Sequence, residues 1–147
     1  MGEIKYIEKQ HMISAIQIPQ LYAVWADVEP ILERVVEESH GDISVRSTRN
    51  RLIAGELQLY VISRMDEIDA IFVTDVQLSE TGQRVLLVPI IGGNNMDAWI
   101  DDAIFTWRKL AEELMCDRII GLGRKGWERK LKPHGLKVTH VNYELEM

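Results

Sequence analysis

Gly92-Gly93-Asn94-Asn95 stands between an apolar run, Val85-Leu86-Leu87-Val88-Pro89-Ile90-Ile91, and a long amphipathic segment. A strand that delivers a glycine turn to a helix N-terminus gathers backbone N–H groups where an anion can be received. A turn that holds no ligand uses the same residue types, and both readings fit this stretch. Further along, Arg124 and Lys125 fall between Gly123 and Gly126 at the start of a short helical run. Cations at a helix N-terminus oppose its dipole, so a phosphate or the acidic face of another molecule would compensate them. Side chains able to move a proton are scattered: Asp75, His134, His140 and Tyr143. A general acid or base is defined by geometry and pKa, which a sequence leaves open. The single cysteine, Cys116, has no partner for a disulfide and reads as a small apolar residue at a helix end.

The elements that must position these groups are legible from periodicity. Met96, Trp99, Ile100, Ala103, Ile104, Trp107, Leu110, Ala111 and Leu114 follow helical spacing, so one face of a long helix is committed to a core. Asn94 or Asn95 is placed to cap its first turn. Upstream, residues 4–18 suit a first strand interrupted at Gln10-His11-Met12. Val24, Trp25, Val28, Ile31, Leu32, Val35 and Val36 then predict a helix that starts near Asp27 or kinks at Pro30 and ends before Gly41. A short helical piece at 51–54 is stopped by Gly55. Runs at 57–64, 70–78 and 84–91, joined by short polar connections, predict an antiparallel meander. Residues 118–122 form a strand parallel to 84–91, because a helix crossover separates the two. A short helix at 125–132 and an alternating strand at 137–146 complete the order.

With 147 residues, 46% of them hydrophobic, the chain reads as one domain over 1–147 with a core of its own. Neither a signal peptide nor a membrane span is evident, and a cytoplasmic protein is expected. The net charge of −6 argues against general nucleic-acid binding. That charge is uneven: Asp27, Glu29, Glu33, Glu37, Glu38 and Asp42 make one acidic stretch, whereas 118–137 is basic. The basic stretch reads either as a solvated surface or as a binding surface for a phosphorylated small molecule.

The element order, with its glycine turn ahead of the long helix, resembles the GNAT N-acetyltransferase superfamily. That resemblance implies an α/β (α+β) fold with a mixed sheet: an antiparallel meander, a parallel strand pair and a long central helix packed on it. It also implies acetyl-CoA as cofactor, its pantetheine arm lying where the two parallel strands splay, beside Val88, Pro89 and Ile90. Pro89 fits a splay on physical grounds, since a proline within a sheet removes a ladder bond, and it fits an ordinary strand end equally well. The family's pyrophosphate loop would fall on Gly92, Gly93, Asn94 and Asn95, with Arg124 and Lys125 steering the phosphates. Here the loop's lead Gln/Arg is absent and its glycines are adjacent. The family's tyrosine acid would fall on Leu131, and no Asp or Glu lies within 84–91 to act as its base. Asp75, His134 and Tyr143 are the remaining catalytic candidates, and no metal site is expected.

A narrower resemblance rests on Trp25 with Pro30, on Gly55-x-Leu57-Gln58-Leu59-Tyr60, on Gly92-Gly93 ahead of Trp99 and Trp107, on Cys116, and on residues 123–131. This punctuation is similar to that of small GNAT-like proteins of tailed bacteriophages. Two functions follow from the resemblances: transfer of an acetyl group from acetyl-CoA to an amine by direct attack, or a catalytically inactive virion-assembly or protein-interaction module. The partners implied are an amine substrate, a protein partner or a second copy in a homodimer, with no membrane.

Overall fold

The computed structural model describes residues 11–123 and 126–147. Strand β1 (Met12–Ile16) precedes two helices, α1 (Ile18–Glu38) and α2 (Val45–Ile53). Strands β2 (Gln58–Arg64), β3 (Glu67–Leu78) and β4 (Arg84–Gly93) follow. Then come α3 (Met96–Glu113), β5 (Arg118–Gly121), α4 (Trp127–Leu131) and a 3-10 turn, Lys132–His134. The strands lie in the order β1-β2-β3-β4-β5, antiparallel up to β4 and parallel between β4 and β5. This is the mixed sheet expected from the sequence, with the long helix making the crossover.

Two cores flank the sheet. On one face Tyr60, Ile62, Phe72, Leu86 and Val88 meet Trp99, Ile100, Ala103, Ile104 and Trp107 of α3. On the other, Leu59, Val61, Ile71, Val73 and Ile90 meet Leu21, Trp25, Val28, Ile31 and Leu32 of α1 and Leu52 of α2. The aromatic centre of the first core is directional: Tyr60 stacks on Phe72 with centroids 4.7 Å apart, and Phe72 meets Trp107 edge-on at 5.7 Å. Such pairs add to their burial and fix ring orientation.

Helix α1 starts at Ile18 and continues through Pro30, so the expected late start near Asp27 does not occur and the proline lies inside the helix. An interior proline removes one helical hydrogen bond. Pro30 lies on the exposed side, while Val28, Ile31 and Leu32 are buried, so the packed face holds the helix across the defect. Helix α2 is longer than the expected 51–54 piece. Ser44 accepts a hydrogen bond from the Ser47 amide at 3.0 Å, an N-cap that starts the helix at Val45. Gly55, at φ +77°, ends that region as expected.

Met65 and Asp66 both adopt positive φ, the backbone of a tight two-residue hairpin between β2 and β3. At the end of β4 the expected asparagine cap does not form. Asn95 takes a left-handed conformation (φ 60°) and its side chain makes no capping bond. Instead the Trp99 indole donates to the Asn94 carbonyl at 2.7 Å, tying the turn to a buried ring.

The first strand is Met12–Ile16, beginning at the last residue of the expected interruption; residues 4–10 lie outside the described residues. The expected strand at 137–146 is absent. Residues 137–147 carry no regular structure and are exposed throughout. Alternation is necessary for a half-buried strand, yet it does not supply the neighbouring strand that must satisfy the backbone.

Candidate active site

The register of the sheet locates the site. Below Val88, β3 and β4 pair as Asp75 with Leu87 and Val76 with Leu86; above it, Val73 pairs with Ile90 and Phe72 with Ile91. Opposite the single residue Thr74, β4 therefore supplies two, Val88 and Pro89: a β-bulge in β4. The extra residue reverses the alternation of faces. Leu86 and Val88 face α3 before the bulge; after it Ile91 faces α3 and Ile90 faces α1.

Pairing with β5 stops at the same place. The ladder runs from Val85 with Arg118 to Val88 with Gly121, and the Leu122 amide then donates to the Val88 carbonyl at 3.1 Å. Arg84, whose carbonyl accepts from Asp117, and Val88 thus turn their carbonyls toward β5. Because the bulge shifts this alternation by one residue, Ile91 turns its N–H and C=O away from β3, toward the side where β5 no longer pairs. Pro89, with no N–H, contributes only a carbonyl. Among the described residues the pairing of β4 with β5 ends at Val88, and beyond it β4 turns main-chain groups toward the β5 side.

Beside the bulge, on the α1–α2 face, lies a cleft of about 300 Å³. Its floor is Pro89 and Ile90, and its rim includes Asp42, Ser44, Ser47 and Arg51 from the α1–α2 connection and α2. Sequence reasoning missed this cleft. The polar stretch 44–50 was its only signal, and which strand it would overhang is a tertiary fact.

Each expected cofactor residue can be placed except Arg124 and Lys125, which lie outside the described residues. Gly92 and Gly93 belong to β4, paired with Ile71 and Ala70, so the turn to α3 is Asn94-Asn95 alone. Both glycines answer to packing. A Cβ on Gly92 would stand 2.5 Å from Val35 Cγ2 of α1. On Gly93, at φ +134°, it would stand 2.3 Å from the Asp69 carbonyl oxygen and 2.4 Å from Ala70 Cα. That crowding follows from a second bulge, in β3: Ile62 pairs with Ala70 and Ser63 with Ile68, leaving Asp69 over. Asp69 accepts from the Asn94 amide at 2.8 Å through its carbonyl and pairs with His11 Nε2 at 2.8 Å through its carboxylate.

The N-terminus of α3 already carries a negative charge. Asp97 sits in its first turn, where the dipole favours an anion, and its carboxylate lies 3.4 Å from Lys130 of α4. One turn on, Asp101 lies 2.9 Å from His134 Nδ1. An anionic ligand at this end would meet Asp97 and draw Lys130 from it.

The catalytic candidates are not brought together. Asp75, its side chain only 12% exposed, is held by Arg51 at 3.5 Å and by Gln77 Nε2 at 2.8 Å, and Arg51 also lines the cleft. His134 lies against α3, on the far face of the sheet, and Tyr143 is exposed in the C-terminal segment. Leu131, where the resemblance would place a tyrosine acid, packs against the α3-side core. Among the described residues no group of three or more His, Cys, Asp or Glu side chains could hold a metal. No described helix is long and apolar enough to cross a membrane.

No protein-family model matches the sequence, and no curated protein sequence matches it. Solved structures do match. A probable acetyltransferase superposes with a TM-score of 0.66 at 15% identity, over 92% of this chain and 97% of its own. An aminoglycoside acetyltransferase from an uncultured soil metagenomic sample, in complex with sisomicin, gives 0.64 at 13% identity, over 95% and 99%. A predicted acetyltransferase from Clostridium acetobutylicum, solved with acetyl-CoA, gives 0.65 at 12% identity, over 93% and 96%. The chain has the GNAT acetyltransferase fold. Within that fold the β4 bulge and the end of β4–β5 pairing mark the candidate site. The low identities mean that its side chains must be judged on their own chemistry.

Proposed function

We propose that this protein is an acetyl-CoA-dependent N-acetyltransferase. The observation that carries the reading is the coincidence of three features at one point: the bulge at Val88–Pro89, the end of β4–β5 pairing, and a cleft floored by Pro89 and Ile90. The structural neighbour solved with acetyl-CoA supports that cofactor for a chain of this fold. In this account the pantetheine arm lies along β4 in the opening, its amides bonded to the main chain of Pro89 and Ile91. The thioester sits at the bulge, and the acceptor amine enters from the α1–α2 cleft.

The amine nitrogen attacks the thioester carbonyl, the C–S bond breaks, and the departing thiolate takes up a proton from solvent. Most of the acceleration is positional, since a well-oriented encounter supplies several kcal/mol of the barrier, roughly 7–11 at best. Asp75 is the base we assign, because it shares Arg51 with the cleft.

Two observations favour a second reading, a GNAT-fold interaction module without turnover, as the phage resemblance suggests. Leu131 leaves no tyrosine acid, and Asp97 stands where cofactor phosphates would approach. One assay separates the readings: release of free CoA thiol from acetyl-CoA in the presence of a panel of amines that includes aminoglycosides, polyamines and peptide N-termini. Amine-dependent release above the uncatalysed rate, lowered by Asp75→Asn by roughly 10²- to 10⁴-fold, supports the enzyme. Binding of acetyl-CoA without release for any amine supports the silent fold.

A further inference from the structure

We propose that the acceptor taken by this site is a zwitterionic amine of the amino-acid class, its ammonium group held at the inner end of a divided groove and its carboxylate at the outer end. The inference rests on the transferase reading above and names that enzyme's second substrate. The cleft floored by Pro89 and Ile90 does not stop at α2. Ser44, Ser47 and Arg51 line it and also line a second hollow of about 450 Å³, which continues over α2 past Arg46, Asn50 and Glu56. The two hollows share these three residues, so a molecule entering across Arg46 can end against Pro89.

Charge divides the groove. Arg51, at the shared wall, is already matched within the protein, by Glu56 at 3.1 Å and by Asp75 at 3.5 Å. Asp42 lines only the inner hollow and Arg46 only the outer one, and both are exposed. Among the described residues neither of these two has an ion-pair partner. One uncommitted negative charge therefore stands at the inner end and one uncommitted positive charge at the outer end. An ammonium group drawn to Asp42 brings its nitrogen toward the bulge at Val88–Pro89. A carboxylate on the same molecule meets Arg46, whose planar guanidinium matches it with two parallel hydrogen bonds, and Asn50 and Ser47 add neutral donors in the same hollow. The arrangement also rejects. A polycation would set its second positive charge against Arg46, and like charges at close range repel.

A paired acceptor series tests the proposal: ω-amino acids of increasing chain length, each against the alkylamine of equal length, with spermidine as the polycation. Followed by release of free CoA thiol from acetyl-CoA, kcat/KM is expected to favour the best amino acid by roughly tenfold or more, the worth of one charge-assisted hydrogen bond. Arg46→Glu should reverse that preference; both acceptors are read on one preparation, so partial loss of fold cannot imitate the change. Equal rates, a preference for spermidine, or a ratio that Arg46→Glu leaves unchanged would overturn the substrate class and leave the transferase standing. Amide nitrogen–proton correlation spectra read the groove without turnover. The ω-amino acids should shift Asp42, Ser47 and Asn50 saturably, and the alkylamines should not shift Ser47 and Asn50. Absence of such shifts would overturn the inference even in an inactive chain. Shifts without thiol release for any amine would support the groove and count against the transferase reading alone.

Discussion

The Leu122 amide reaches the Val88 carbonyl at 3.1 Å, and the next residue of β4, Pro89, is the surplus residue of the bulge opposite Thr74. The two strands are therefore joined up to the residue at which one of them changes register. Below this point the parallel pair is hydrogen-bonded and Leu86 and Val88 are buried; above it no β4–β5 pair is made among the described residues. A thioester held here would have fixed main chain on one side and the α1–α2 cleft on the other.

The two glycines of β4 are separable by mutation. Gly92→Ala meets only the end of the Val35 side chain, at 2.5 Å. It should cost about 1–3 kcal/mol, as overpacking does, and Val35→Ala should recover part of that loss. Gly93→Ala meets backbone, at 2.3 Å from the Asp69 carbonyl, in a conformation that side chains disfavour. Its cost should be larger and no side-chain truncation should recover it. Chemical denaturation of the four variants checks both statements.

Charge at the α3 N-terminus gives a signed prediction. Asp97→Asn removes a carboxylate from the first turn, forfeiting about 0.3–1 kcal/mol of helix stabilisation. The same substitution lifts repulsion from the cofactor's phosphates. Acetyl-CoA should then bind roughly two- to fivefold more tightly at low salt, with the gain shrinking as ionic strength rises. Isothermal titration at two salt concentrations measures it.

Tyr60 sets an alkaline limit. Burial, with the Glu113 carboxylate as a lesser cause, raises its hydroxyl pKa above the ordinary value of 10.0. The folded state therefore holds this proton more tightly than the unfolded chain. The resulting stability is fully present below pH 10 and is lost as pH climbs through the raised value. Thermal unfolding above pH 10 should show a falling midpoint in the wild type and a shallower fall in Tyr60→Phe, which keeps the stack on Phe72.

Much of the frame was legible in the sequence because its signals are local. The spacing from Met96 to Leu114 reports a helix face directly, and a helix between two apolar runs forces those runs to be parallel. Pro89 marked an irregularity of β4, which the structure shows as the bulge opposite Thr74, since a missing N–H in a sheet needs a structural reason. What was illegible depends on partners distant in sequence. Gly92 and Gly93 read equally as an anion-binding turn or as a turn that holds no ligand, and the crowding of both by Val35 and the Asp69 bulge was not visible in the sequence. Pro30 looked like a helix boundary, and the buried face of α1 overrides it. The alternation after Lys137 looked like a strand, but residues 137–147 carry no regular structure, because alternation does not supply the neighbouring strand that must satisfy the backbone.

Stability linkage offers an independent check on the cofactor. At a hundredfold excess over its dissociation constant, acetyl-CoA should stabilise the fold by about 2.7 kcal/mol. For a domain of this size that corresponds to a melting-temperature rise of roughly 5–11 °C. The same ligand should raise Asp75→Asn equally, because Asp75 is assigned to the acceptor side.

The most direct measurement is a titration of acetyl-CoA into the isotopically labelled full chain, followed by amide nitrogen–proton correlation spectra. Saturable shifts are expected at Ile91 and Leu122, which flank the end of β4–β5 pairing, and at Met96, Asp97 and Ala98 in the first turn of α3. Spectra unchanged at saturating acetyl-CoA, or shifts confined to residues remote from the β4–β5 opening, would contradict it.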